Sequence, residues 1–140
     1  MTLQVLSPTR SRLNESYRNL TLWTLQGWIA MFFIAAGYAK VTEPMTNLVE
    51  LMRWPALVSE SFVRGLGLAE IVLALMVIAP LFSWKVGRPL LVVASAGLIV
   101  LETAMLAVHA FGLDIGPAIT NVVLLAITAP VLWQRARESR

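Results

Sequence analysis

Cysteine is absent from the 140 residues. With it go disulfides, thiolate zinc sites, iron–sulfur clusters and cysteine nucleophiles. A single histidine, His109, excludes bis-histidine haem ligation within one chain. Charge is scarce: acidic and basic residues make up 14 % of the chain, against about 25 % in soluble domains. Apolar residues reach 58 % and mean hydropathy is +0.74. That composition excludes a water-soluble globule, and its low charge density excludes intrinsic disorder. No glycine-rich phosphate loop, short metal-ligand motif or Ser–His–acid signature occurs, so no metal site is expected.

What is present is hydrophobic length. Four apolar stretches stand out, Leu20–Tyr38, Phe62–Phe82, Pro89–Val108 and Ile115–Trp133. The first is roughly 28 Å long at about 1.5 Å per helical residue, close to a hydrocarbon core of about 30 Å. Barrel strands alternate apolar and polar residues, and these stretches do not. The pattern predicts an all-α fold, a four-helix transmembrane bundle forming a single membrane domain over residues 1–140. Pro89 suits a first helical position and Asp114 an N-cap. Gly65 and Gly67 suit close helix packing.

The basic residues set the direction. Arg10, Arg12, Arg18, Lys85, Arg88, Arg135, Arg137 and Arg140 share one side of an antiparallel bundle, leaving Lys40, Arg53 and Arg64 on the other. The positive-inside rule then puts both termini in the cytoplasm, and a multi-pass protein of the bacterial inner membrane is expected. The net charge of +3 thus reads as topology, with no nucleic-acid partner implied. Trp23, Trp84 and Trp133 fall at the inner ends of spans, where amphipathic rings sit. The first span reads as an uncleaved signal-anchor, because its run exceeds the core of about 7–15 residues found in cleaved signals. The connection Val41–Ser61 lies outside, and Met45–Trp54 within it predicts a short interfacial helix stopped by Pro55.

Ionisable side chains inside spans are costly, about 2.5–3.5 kcal/mol each at a helix centre on insertion scales, and mark a partner or a purpose. By depth, Tyr38, Lys40, Arg64, Glu70, Glu102, His109 and Asn121 all fall in the outer half. Glu102 and His109 are seven residues apart and share one helix face. The reading is an outward-facing polar pocket. Glu102, His109 and Glu70 are its catalytic candidates and Lys40, Tyr38, Asn121 and Arg64 its ligand-binding candidates. Two acids and a base in low dielectric perturb one another's proton affinity, which suits proton transfer. Structural roles stand beside these: Lys40 and Arg64 as snorkelling anchors, His109 as an interfacial residue, Asn121 as a link between helices, and the acids as ion-pair partners.

Gly37-Tyr38-Ala39-Lys40, Trp54-Pro55, Gly67-Leu-Ala-Glu70, Pro80, and Glu102 with His109 together resemble the DoxX-like family of small four-span bacterial membrane proteins, over about Trp23–Arg137. The resemblance implies a four-helix bundle and, for some relatives, membership of membrane oxidoreductase assemblies. The name-giving relatives belong to a quinone-reducing thiosulfate oxidase. Carried over position by position, it marks Lys40, Glu70, Glu102 and His109. The leading expectation is an oxidoreductase subunit that binds a quinone or similar amphipathic ligand and takes electrons from a soluble or membrane redox partner. The alternatives are a non-catalytic assembly subunit and a small homo-oligomeric transporter or lipid-binding protein.

Overall fold

The computed structural model describes residues 8–138, and among them every regular element is helical. Helix α1 is Pro8–Thr42, α2 Met45–Met52, α3 Glu60–Ile78, α4 Trp84–Phe111 and α5 Ile115–Arg137. Short 3-10 turns at Trp54–Leu57 and Ala79–Leu81 precede and follow α3. Four of these elements are long and apolar enough to cross a membrane: α1, α3 with its following turn, α4 and α5. Helix α1 packs mainly on α3 and α4 on α5, while α3–α4 and α1–α5 contacts close the ring.

Three of the boundaries that differ from the sequence expectation have clear local causes. Helix α1 begins at Pro8 rather than Leu20, since no glycine or proline interrupts residues 9 to 26 and the helix continues past its apolar run. Pro89 does not open α4. It lies inside the helix, five residues after Trp84, and leaves the Lys85 carbonyl without its usual donor four residues on. The short helix stops at Arg53, whose left-handed φ of 62° ends the run before Pro55, and Pro55 joins the following 3-10 turn. Within that helix Leu48 is buried, whereas Leu51 is 75 % exposed.

A seven-residue rhythm organises the interior. On α3 the buried residues are Val63, Gly67, Glu70, Ala74 and Val77, an alternation of four- and three-residue steps. Leu124, Thr128, Val131 and Arg135 repeat it on α5. Such a seam is the signature of left-handed knobs-into-holes packing. Polar residues ride on it at sevenfold intervals: Gln26 and Lys40 on α1, Ser95, Glu102 and His109 on α4, Thr128 and Arg135 on α5. Between them lies an apolar core that includes Ile29, Phe33, Ala74, Leu91 and Leu98.

Helices α1 and α3 meet at glycine. A Cβ on Gly37 would lie 2.5 Å from the Gly67 carbonyl oxygen, and one on Gly67 would lie 2.7 Å from the Gly37 carbonyl oxygen and 2.7 Å from Lys40 Cβ. This is the close backbone approach that small residues permit in membrane bundles. Gly65 does not share this role, because nothing lies within 4 Å of its Cβ position. Gly87 seats the start of α4 against the backbone of Ala79 and Pro80. Gly37→Ala and Gly67→Ala should therefore each cost about 1–3 kcal/mol by forcing the helices apart. Gly65→Ala should be neutral or stabilising by up to about 1 kcal/mol. Reversible unfolding in detergent micelles measures all three, and equal effects at Gly65 and Gly67 would refute the close approach.

Candidate functional site

The bundle has a terminal end, where α1 begins and α5 finishes, and a distal end capped by α2 and the connection between α4 and α5. At the distal end the glycine contact brings Lys40 of α1 against Glu70 of α3. Lys40 Nζ donates to Glu70 Oε2 at 2.8 Å and to Oε1 at 3.0 Å. Both residues are buried, at 5 % and 2 % exposure. Lys40 therefore does not snorkel away from the bundle. Two charges withdrawn together from solvent are tolerable only as such a close, multiply bonded pair.

The pair lines a pocket of about 440 Å³ together with His109, Thr120 and Asn121. Phe32, Phe33, Trp54, Met105 and Leu124 supply much of its apolar wall. His109 is 5 % exposed, and its Nδ1 has no hydrogen-bond partner among the described residues, the nearest carboxylate oxygen being Asp114 Oδ2 at 3.8 Å. Asn121 Nδ2 donates to the Pro117 carbonyl of its own helix at 2.9 Å. Asp114 occupies the N-cap position of α5 without capping through its side chain. Its carboxylate instead accepts from Arg53 Nη1 at 2.8 Å, which ties the end of α2 to the α4–α5 connection.

The remaining sequence candidates lie elsewhere. Glu102 is fully buried on α4 and is not part of the pocket wall, although its neighbour Leu101 and nearby Met105 are. Thr128 Oγ1 donates to Glu102 Oε1 at 3.1 Å, and Oε2 has no partner among the described residues. Arg64 is outside the pocket wall. Its Nη1 donates to the carbonyls of Lys40 at 2.6 Å and Glu43 at 2.7 Å, and its Nη2 pairs with Glu60 at 2.9 Å. A cation at those carbonyls complements the C-terminal pole of α1. Tyr38 is 63 % exposed and also lies outside the wall. No group of three His, Asp or Glu residues suited to a metal ion occurs among the described residues.

A second polar cluster, at the terminal end, was missed by reading charge placement alone. Arg135 is 1 % exposed. Its Nε donates to Gln26 Oε1 at 2.7 Å, and its Nη1 to Asn19 Oδ1 at 3.0 Å and Glu138 Oε2 at 2.9 Å. The guanidinium sits 5.3 Å from the Trp23 ring and 5.2 Å from the Trp84 ring. Arg88 Nε donates to the Arg135 carbonyl at 3.2 Å. The signal available in sequence was the spacing, since Arg135 falls seven residues after Thr128 and fourteen after Asn121.

Four apolar helices around a polar seam define a multi-pass membrane protein. The model of the DoxX-like family matches residues 24–131, and the chain belongs to that family. No curated protein and no solved structure matches it.

The buried pair yields a sharp test. Lys40→Met strands the Glu70 carboxyl and should cost about 3–5 kcal/mol, whereas Lys40→Met with Glu70→Met should recover most of that loss. A double-mutant cycle on detergent unfolding reads the coupling, and additive losses would mean that the two groups do not depend on each other.

Proposed function

We propose that the distal pocket holds the head of a quinone or a similar amphipathic carbonyl compound, and that the protein serves as a subunit of a membrane oxidoreductase system. The observation that carries this reading is the composition of the pocket wall. A mostly apolar chamber of about 440 Å³ contains a few convergent polar groups, Lys40, His109 and Asn121. Lys40 Nζ spends two hydrogens on Glu70 and keeps a third for a ligand oxygen. Reduction of a quinone to a quinol takes two electrons and two protons, so a redox partner supplies the electrons and this chain handles protons. His109 is the residue at the pocket wall that gives or takes them. Glu102 lies behind that wall, roughly 10.5 Å from His109 along α4, and reaches it through an intervening water or a side-chain movement. In this reading the termini face the cytoplasm, the pocket opens toward the outer face of the bacterial inner membrane, and α2 lies at that interface.

A second reading rests on the same ion pair. Lys40 and Glu70 satisfy each other, and Arg64 caps α1, as in a non-catalytic assembly subunit whose buried charges fix helix register.

Mass spectrometry of the extract from purified protein should find a quinone or related amphiphile. With a short-chain ubiquinone as titrant, His109→Ala and Asn121→Ala should each weaken binding about tenfold, equivalent to about 1.4 kcal/mol. Glu102→Gln should leave affinity near wild type and flatten its pH dependence. A soluble protein copurifying in stoichiometric amount without any such ligand, and titrations indifferent to all three substitutions, would decide for the assembly reading.

A further inference from the structure

The terminal end carries a cleft of about 640 Å³ that the distal pocket does not account for. Arg12 and Arg18 of α1, Arg135 of α5, and Trp23 and Trp84 line it. Two carboxylates share the wall, Glu15 and Glu138. Glu138 is engaged by Arg135 at 2.9 Å. Arg12 and Arg18 are exposed, and neither guanidinium makes an ion pair or hydrogen bond among the described residues. Three guanidiniums against two carboxylates leave the cleft a surplus of one positive charge.

One of the three guanidiniums differs from the other two in its surroundings. Arg135, the 1 %-exposed residue of this wall, retains an Nη2 with no hydrogen-bond partner among the described residues. That guanidinium packs on the Trp23 and Trp84 rings and stands as a fixed cation in the cleft wall. The two tryptophans, 6.4 Å apart, mark the level at which amphipathic rings meet lipid headgroups.

We propose that this cleft binds a singly charged phosphodiester. The match is in charge and in donor geometry. One surplus positive charge balances one negative charge, and guanidinium forks suit phosphate oxygens better than point charges do. Arg12 and Arg18 close on the phosphate from α1, and Arg135 is the fixed cation behind it. Glu15 opposes binding, and its carboxylate repels a dianion more strongly than a singly charged phosphodiester. Basic pockets between spans at a membrane surface take anionic headgroups by this chemistry. The ligand comes either from an anionic phospholipid or from the same headgroup free in solution.

Native mass spectrometry of the full chain in neutral detergent tests both sources. The probes are phosphatidylglycerol, zwitterionic phosphatidylcholine, and glycerophosphoglycerol, which is the first headgroup without its acyl chains. Phosphatidylglycerol should be retained in preference to phosphatidylcholine, and Arg12→Gln with Arg18→Gln should lower that preference about twentyfold. Glu15→Gln should raise retention about fivefold, a gain that misfolding cannot mimic. Displacement by millimolar glycerophosphoglycerol assigns the site to soluble phosphodiesters, and its failure to displace assigns it to lipid. Equal retention of the two lipids with no glycerophosphoglycerol bound, or a preference that survives both arginine substitutions, overturns the proposal.

Discussion

The Lys40–Glu70 pair is the interaction on which the distal half of the molecule depends, and it depends in turn on two missing side chains. Helices α1 and α3 come together because Gly37 and Gly67 present bare backbone to each other. Any Cβ on Gly67 would crowd Lys40 itself. With the helices in contact, an ammonium and a carboxylate on different spans reach 2.8 Å. The buried pair then shares a mostly apolar pocket with His109, Thr120 and Asn121. Remove the close approach and the two charges lose their mutual compensation in surroundings that offer little other.

The architecture was legible because hydrophobic length is a one-dimensional property. The four spans, the start of α5 at Ile115 and the short helix after Pro44 all follow from runs and breakers in the chain. Helix ends were less legible where continuation costs little. Nothing in residues 9 to 26 stops α1, and Pro89 is accommodated inside α4 at the loss of one donor. The stop at Arg53 is a backbone conformation that side-chain identity does not announce.

The site was legible by depth and not by azimuth. Depth put Lys40, Glu70, His109 and Asn121 at one level, and they share one pocket wall. The same argument added Tyr38 and Arg64, which turn outward or cap a helix, and Glu102, which lies behind the wall. Direction around a helix is set by the heptad seam, and Tyr38 falls off that seam where Lys40 falls on it. Applied to every polar residue, the same sevenfold count picks out Gln26, which charge placement did not name, and Arg135, which it used only to set the direction of the spans.

The division of the ion pair between two spans bears on how the chain enters a bilayer. Helix α1 alone would carry an unmatched ammonium into hydrocarbon, and α3 alone an unmatched carboxyl, each a burden on insertion. Joined as a hairpin they offer lipid a neutral surface. The smallest unit that integrates without a lone charge is therefore α1 together with α3, and α2 with its flanking turns is the tether that keeps the earlier-made helix within reach of the later one during biogenesis.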